Sequence, residues 1–296
     1  MTPQSLRVAG SDGLEIHLLQ WSELGVPVIL VHGFGNEAHI WEDFAPAVAM
    51  AYRVYAMDLR GHGDSDWDPQ ARYDYENHQA DLEAVIQNLG VDRVVLVGHS
   101  LGGRVCMRYA AAHGENIAGL VIVDSAPELD PRGITRISQD VEQHRDPSFE
   151  TVAEYENYLS TAYPAATPES IRRMARNGLK QGKDGRYVLK MDISFRSRAA
   201  GQMDPKEMAK YEEATTQGLW DALAKIECPC LVVRGAASDI MSADVADRMV
   251  DEVMTNATLA VVPLAGGHDE RHARRRAPGG PLGNDRQPGR VSRVRV

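Results

Sequence analysis

Short runs of β-branched and apolar residues alternate along the chain with longer stretches whose apolar positions recur at helical spacing. That pattern predicts an α/β fold, a mainly parallel sheet covered by helices on both faces. Leu14–Trp21 alternates apolar and polar positions, as a half-exposed edge strand does. Residues 26–31 (VPVILV) predict a buried central strand ending at His32-Gly33, and further strands are predicted at Arg53–Met57, Arg93–Val97, Leu120–Val123, Cys230–Val233 and Leu259–Val262. Helical spacing marks Asn77–Leu89, Leu101–Ala112, Leu219–Lys225 and Ala243–Val253. Between about Pro127 and Gln217 the buried-strand runs stop, and charge, tyrosine and methionine rise. This stretch predicts an all-helical insertion, with helices at Thr151–Thr161 and Glu169–Leu179.

Composition narrows the class. The chain has 296 residues, 43% hydrophobic and 25% charged, enough for one large core that needs no disulfide or metal staple. Its net charge of −10 conceals an asymmetry: residues 271–296 carry eight arginines and one acid, which leaves −17 on residues 1–270. A body so acidic repels phosphate backbones and anionic lipid, arguing against nucleic-acid and membrane partners. No apolar run approaches the ~20 residues that span a bilayer, and the N-terminus lacks the basic-then-apolar pattern of an export signal. A cytoplasmic location is the expectation. The three cysteines, Cys106, Cys228 and Cys230, show no metal-site spacing and read as buried free thiols.

The chemistry gathers at strand ends. Residues 94–103 (VVLVGHSLGG) place Gly-x-Ser-x-Gly between a strand and a helix, the context in which Ser100 sits on a strained turn with its hydroxyl projecting above the sheet edge. Side chains at 98 and 102 would collide with the neighbouring helix and strand. A serine hydroxyl needs an adjacent base. His268 follows the last strand in a Gly-rich loop and would share the edge with Ser100. Two carboxylates leave strands at that edge, Asp239 and Asp124. Both fit the order Ser, Asp, His, and Asp239 is preferred, with Asp124 as the alternative. The backbone N–H groups of Phe34, in His-Gly-Phe-Gly, and of Leu101 are the candidate oxyanion donors. Residues 58–65 (DLRGHGDS) hold acids and histidines, yet read as a tight loop with Asp58 and Arg60 as a buried pair rather than as a metal site.

Taken together, HGFG, DLRGHGDS, GHSLGG, VIVDSAP, CPCLVVRGAASD and PLAGGH resemble the α/β-hydrolase fold superfamily, in its branch of capped carboxylesterases, over residues 10–270. The resemblance implies an eight-stranded, mostly parallel sheet flanked by helices. It implies a core of residues 1–126 and 218–270, a helical cap (127–217) inserted after the sixth strand, and catalysis without a cofactor. It supports Asp239 as the acid, since the family commonly places that residue after the seventh strand. A serine at position 100 disfavours the dehalogenases and epoxide hydrolases of this fold. Family members usually end in an amphipathic helix packed on the sheet. Residues 271–296 hold three prolines, four glycines and few apolar side chains. They cannot build that helix and predict a disordered tail, as a shift of reading frame close after Asp269 would leave.

The expected activity is hydrolysis of a small-molecule carboxylic ester through an acyl-enzyme, by a protein that can form a homo-oligomer. A lactonase, a carbon–carbon bond hydrolase or a cofactor-free perhydrolase would leave nearly the same sequence. A ligand receptor on this fold fits less well, because a binder has no need of a strained nucleophile.

Overall fold

The computed structural model describes residues 1–144, 147–195, 205–263 and 293–295. Twelve strands are present among them. They are β1 (Gln4–Ala9), β2 (Glu15–Gln20), β3 (Pro27–Val31), β4 (Arg53–Met57), β5 (Val94–His99), β6 (Ile117–Val123), β7 (Ser148–Phe149), β8 (Leu179–Gln181), β9 (Tyr187–Leu189), β10 (Cys230–Gly235), β11 (Ala257–Val262) and β12 (Arg293–Arg295). The main sheet runs β1-β2-β4-β3-β5-β6-β10-β11-β12. Its first eight members make up the eight-stranded sheet that the resemblance implies, β1 being the one strand the pattern did not mark; pairing is antiparallel in β1–β2 and β2–β4 and parallel from β4 onward. The three-residue β12 adds a ninth by pairing with β11. It is the described part of the tail that the sequence predicts to lack structure; residues 264–292 lie outside the described residues.

Alternation along the central strands divides two cores. Ile29 and Val31, with Tyr55, Met57 and Leu96, face α2 (Tyr75–Asn88), α3 (Leu101–Ala112), α7 (Pro205–Lys225) and α8 (Ala243–Arg248). Val28 and Leu30, with Val54, Ala56 and Val97, face a 3-10 turn at Ala38–Trp41 and the short α1 (Ala45–Val48). Each fully buried branched side chain contributes roughly 1.5–3 kcal/mol. Farther along that second face Val95, Val121 and Val123 are only partly buried.

The segment between β6 and α7 adds no strand to the main sheet. It contains α4 (Pro131–Gln143), α5 (Val152–Ala162) and α6 (Pro168–Gly178). It is not all-helical: β7, β8 and β9 form a small antiparallel sheet in the order β7-β9-β8, turning at Gly185 with φ +83°. Phe149, Tyr155, Leu159, Ile171 and Leu179 close a small core of their own there. Helix α7 starts at Pro205, earlier than the sequence pattern marks, and its C-terminal half, with Leu219, Trp220 and Leu223, packs into the main core. No helix among the described residues is long and apolar enough to cross a membrane.

Parallel pairing aligns the strand exits. Val31 is opposite Gly98, His99 opposite Val123, and Val123 opposite Val233. The residues that follow β3, β5, β6 and β10 therefore emerge side by side along one edge.

Candidate active site

Ser100 joins β5 to α3 with φ +50° and ψ −116°, a conformation that L-residues rarely adopt. What holds it there is explicit. Its N–H donates to the Val123 carbonyl at 3.0 Å. Its carbonyl accepts from Ser125 Oγ at 2.6 Å and from the Arg104 N–H at 3.2 Å. The flanking glycines let the backbones close in: a Cβ at Gly98 would lie 2.5 Å from the Gly102 carbonyl oxygen, and one at Gly102 2.5 Å from the carbonyl oxygens of Val31 and His32. Ser100 itself is partly exposed, so the turn presents its side chain instead of burying it.

The glycine loop after β3 lies against this turn. A Cβ at Gly33 would come within 2.9 Å of both Ser100 Cβ and His99 Nδ1. The loop is braced from below by two histidines. His32 Nδ1 donates to the Gly33 carbonyl at 2.7 Å and its Nε2 accepts from the Leu59 N–H at 3.0 Å, which together select the Nδ1–H tautomer. His62 Nε2 accepts from the Gly35 N–H at 3.3 Å. Burial, then the neighbouring His32, pushes the His62 pKa down to about 3 and that of His99 to about 4. These imidazoles are neutral supports. Gly102 N–H donates to the His32 carbonyl at 3.1 Å. The N–H groups of Phe34 and Leu101, by contrast, donate to no protein acceptor among the described residues.

The two candidate carboxylates differ in setting. Asp239, just past β10, is gripped by Arg136 of α4 through Nε–Oδ2 at 2.6 Å and Nη2–Oδ1 at 3.0 Å. That guanidinium holds the Asp239 pKa below the usual carboxylate range, against a smaller effect of burial. Asp124, just past β6, has φ +44° and a buried Oδ1 without a hydrogen bond among the described residues. Burial raises its pKa despite the Ser238 hydroxyl beside it. His268 lies outside the described residues, so the structure brings together Ser100, Phe34, Leu101, Asp124 and Asp239 at the same sheet edge without its imidazole.

One expectation is corrected. Asp58 and Arg60 do not pair with each other, because the chain turns between them. Asp58 accepts from His17 Nδ1 at 2.7 Å, the Ala38 N–H at 2.6 Å and the Asp64 N–H at 2.9 Å. Arg60, fully buried, turns to Asp81 (Nε–Oδ2 2.6 Å, Nη2–Oδ1 2.8 Å), Asp68 and Asp12. His17, Asp58 and Asp64 bring potential metal-ligand atoms within 4.8 Å of one another. Those atoms are already engaged: His17 with Asp58, and both Asp64 oxygens with Lys190 Nζ at 2.7 and 2.8 Å. The donor set suits a loop brace better than an ion.

Sequence reasoning missed Ser125 and Arg136. Ser125 had a signal, since it follows the strand neighbouring the Ser100 turn. Arg136 was missed because α4 was not anticipated. In the inserted segment Tyr155 is buried in the small core, and Tyr158 and Met174 pack against it. Phe195 stacks on Tyr73 with ring centroids 4.6 Å apart and reaches Phe34 at 5.6 Å, which puts it beside the glycine loop.

Comparison with known proteins agrees with this architecture. The family profile described as the α/β hydrolase fold matches residues 26–155. The chain is similar to a 3-hydroxybutyrate-oligomer hydrolase of Cupriavidus necator, 30% identical over 258 residues covering 83% of this chain and 84% of the relative. It is also similar to an esterase of Mycobacterium tuberculosis, 26% identical over 77% of this chain and 72% of that protein. Among solved structures, an α/β hydrolase from Novosphingobium aromaticivorans superposes with a TM-score of 0.74 at 31% identity, covering 88% of this chain and 90% of that one. With the strand order, the exposed turn at Ser100 and these likenesses in agreement, the chain belongs to the α/β-hydrolase fold superfamily of hydrolytic enzymes.

Proposed function

We propose that the protein hydrolyses a carboxylic ester through an acyl-enzyme formed on Ser100. The observation that carries this reading is the conformation of Ser100: a partly exposed serine held at φ +50° beside two backbone N–H groups with no described protein partner. A strained nucleophile turn and vacant donors on one edge suit attack on a carbonyl and capture of the resulting oxyanion. In this reading His268 takes the Ser100 proton and returns it to the leaving alcohol, while Asp239 holds the imidazole tautomer. The Phe34 and Leu101 N–H groups receive the oxyanion, and water then releases the acid. Catalysis needs no cofactor, and the esterase among the relatives favours an ester over other acyl substrates.

Asp124 is the second candidate for the acid, favoured by its buried Oδ1, which has no hydrogen bond among the described residues. The test of the main reading is covalent labelling by a fluorophosphonate together with turnover of p-nitrophenyl esters of graded chain length. Ser100→Ala is expected to abolish labelling and to lower kcat by about 10⁶, the scale of a lost triad nucleophile. Retention of esterase activity by that variant would remove Ser100 from the mechanism. Faster turnover of lactones, β-diketones or a peracid assay would keep the nucleophile and change the substrate class. Single-turnover hydrolysis with tight ligand retention would point to a receptor.

A further inference from the structure

Helix α4 is docked on the turn that carries Asp239 by three contacts from one face, at positions i, i+3 and i+6. The Asp130 N–H donates to the Ile240 carbonyl at 2.9 Å. One turn on, Gly133 is packed so closely that a Cβ there would sit 2.2 Å from the Asp239 carbonyl oxygen and 2.8 Å from Ile240 Cδ1. One turn further, Arg136 clasps both Asp239 oxygens. A backbone bond, a missing side chain and a planar fork thus converge on two residues.

The Arg136 and Asp239 side chains are 53% and 32% exposed, and ion pairs that open to water add little stability. What a bidentate guanidinium does supply is a fixed carboxylate plane. It also leaves acceptor capacity, since a carboxylate offers about four lone-pair sites and the fork uses two.

We propose that Arg136 is the positioning residue of the catalytic acid: it fixes the plane of the Asp239 carboxylate, leaves that carboxylate acceptor sites for the base of the proposed mechanism, and tempers its negative charge. The proposal rests on the reading of Asp239 as that acid. Other charges face the same spot. Arg132 lies near Asp239 from α4; Asp124, itself near Arg234, faces it from the β6 exit; and Asp140 and Tyr163 lie toward Arg136. Among the described residues Arg136 alone makes the paired contact. With its charge in place the carboxylate stabilises an imidazolium less, so the base stays unprotonated, and the enzyme active, to lower pH. Without it the imidazolium is favoured, and the acidic limb of the pH profile moves up.

The experiment compares kcat, KM and the pH profile of kcat/KM on a p-nitrophenyl ester for the full-length protein and for Arg136→Gln, Arg136→Lys, Asp239→Asn and Asp124→Asn, each checked by thermal unfolding. For Arg136→Gln we expect kcat to fall roughly tenfold, KM to hold, and the acidic limb to move upward, as loss of one charge-assisted orienting contact implies. Arg136→Lys keeps the charge without the fork, so it should restore the limb but not the whole of kcat. An unchanged limb and kcat in a folded Arg136→Gln would overturn the proposal, as would a loss that merely tracks stability. Asp239→Asn separates the two levels. Its expected loss is on the order of 10⁴, by analogy with removal of a triad acid. If Asp239→Asn stays active while Asp124→Asn does not, the assignment of the acid has failed instead.

Discussion

The hydroxyl of Ser125 donates to the carbonyl oxygen of Ser100 at 2.6 Å, while the Ser100 N–H donates to Val123 at 3.0 Å. Both peptide groups around the strained residue are therefore anchored to the exit of β6. Ser125→Ala should leave the Ser100 carbonyl with the Arg104 N–H alone, at a cost of about 1 kcal/mol in stability. The turn should also loosen. Urea unfolding and the rate of fluorophosphonate labelling report the two effects, and a wild-type labelling rate in the variant would mean the anchor is dispensable.

Strain at Ser100 makes a second expectation. Ser100→Gly removes the Cβ that penalises φ +50° and ψ −116°, whereas Ser100→Ala keeps it. Relief of about 1–3 kcal/mol is partly offset by the 0.5–1 kcal/mol, roughly, that glycine loses in backbone entropy. The glycine variant should melt above the alanine variant, both being inactive. Equal melting temperatures would show that the strain relieved is no larger than the entropy glycine loses.

The location of the strained turn at Ser100 was legible because its determinants are local. Glycines at 98 and 102 are demanded by backbones 2.5 Å away from an imagined Cβ, and both lie within the Gly-x-Ser-x-Gly span. Strands with β-branched runs were legible for the same reason. Strand β1 was not, as its residues are mostly exposed and carry little apolar pattern. Helix α4 was also hidden: it buries only Gly133 and Val141, although Asp130 as N-cap and Pro131 in the first turn were available signals. Partners distant in sequence were the least legible. Asp58 and Arg60 sit two apart, but their carboxylate and guanidinium find His17 and Asp81, on other elements.

Arg60 is fully buried against Asp81 and Asp68, whose side chains are themselves inaccessible. Replacing it by methionine preserves bulk but leaves the buried Asp81 carboxylate with Ser11 alone, while Asp68 keeps Arg72 Nε at 2.8 Å. Arg60→Met should cost about 3–5 kcal/mol, with a matching fall in the urea midpoint. A change below about 1 kcal/mol, the scale of an exposed pair, would show that the aspartates find other partners.

Stability should also depend on pH through His62. Its folded pKa is about 3, depressed chiefly by burial, against 6.5 for the free side chain. Between those values the unfolded chain binds a proton that the folded chain does not. Stability is therefore complete above pH 6.5, falls as pH drops through that window, and levels off below about 3. The slope from this one residue approaches about 1.4 kcal/mol per pH unit. Urea midpoints measured across the window should decline less steeply for His62→Asn than for the wild type; parallel slopes would exclude His62 as the source.

Where the inserted segment returns toward the main body, Tyr73 Oη meets Asp192 Oδ2 at 2.5 Å, the Asp192 N–H donates to the Gly61 carbonyl at 2.8 Å, and Lys190 pairs with Asp64. At α6 the tie is an ion pair of Arg173 with Asp43, whose carboxylate is largely exposed. The Tyr73–Asp192 bond is buried whereas the Arg173–Asp43 pair is open to water, so ionic strength acts on them unequally. Salt should free the α6 side first and leave the Tyr73 side as a pivot, which amide exchange would register as earlier deprotection of 168–178 than of 187–195. The grip of the inserted segment on the main body would then be graded by the electrolyte around the protein.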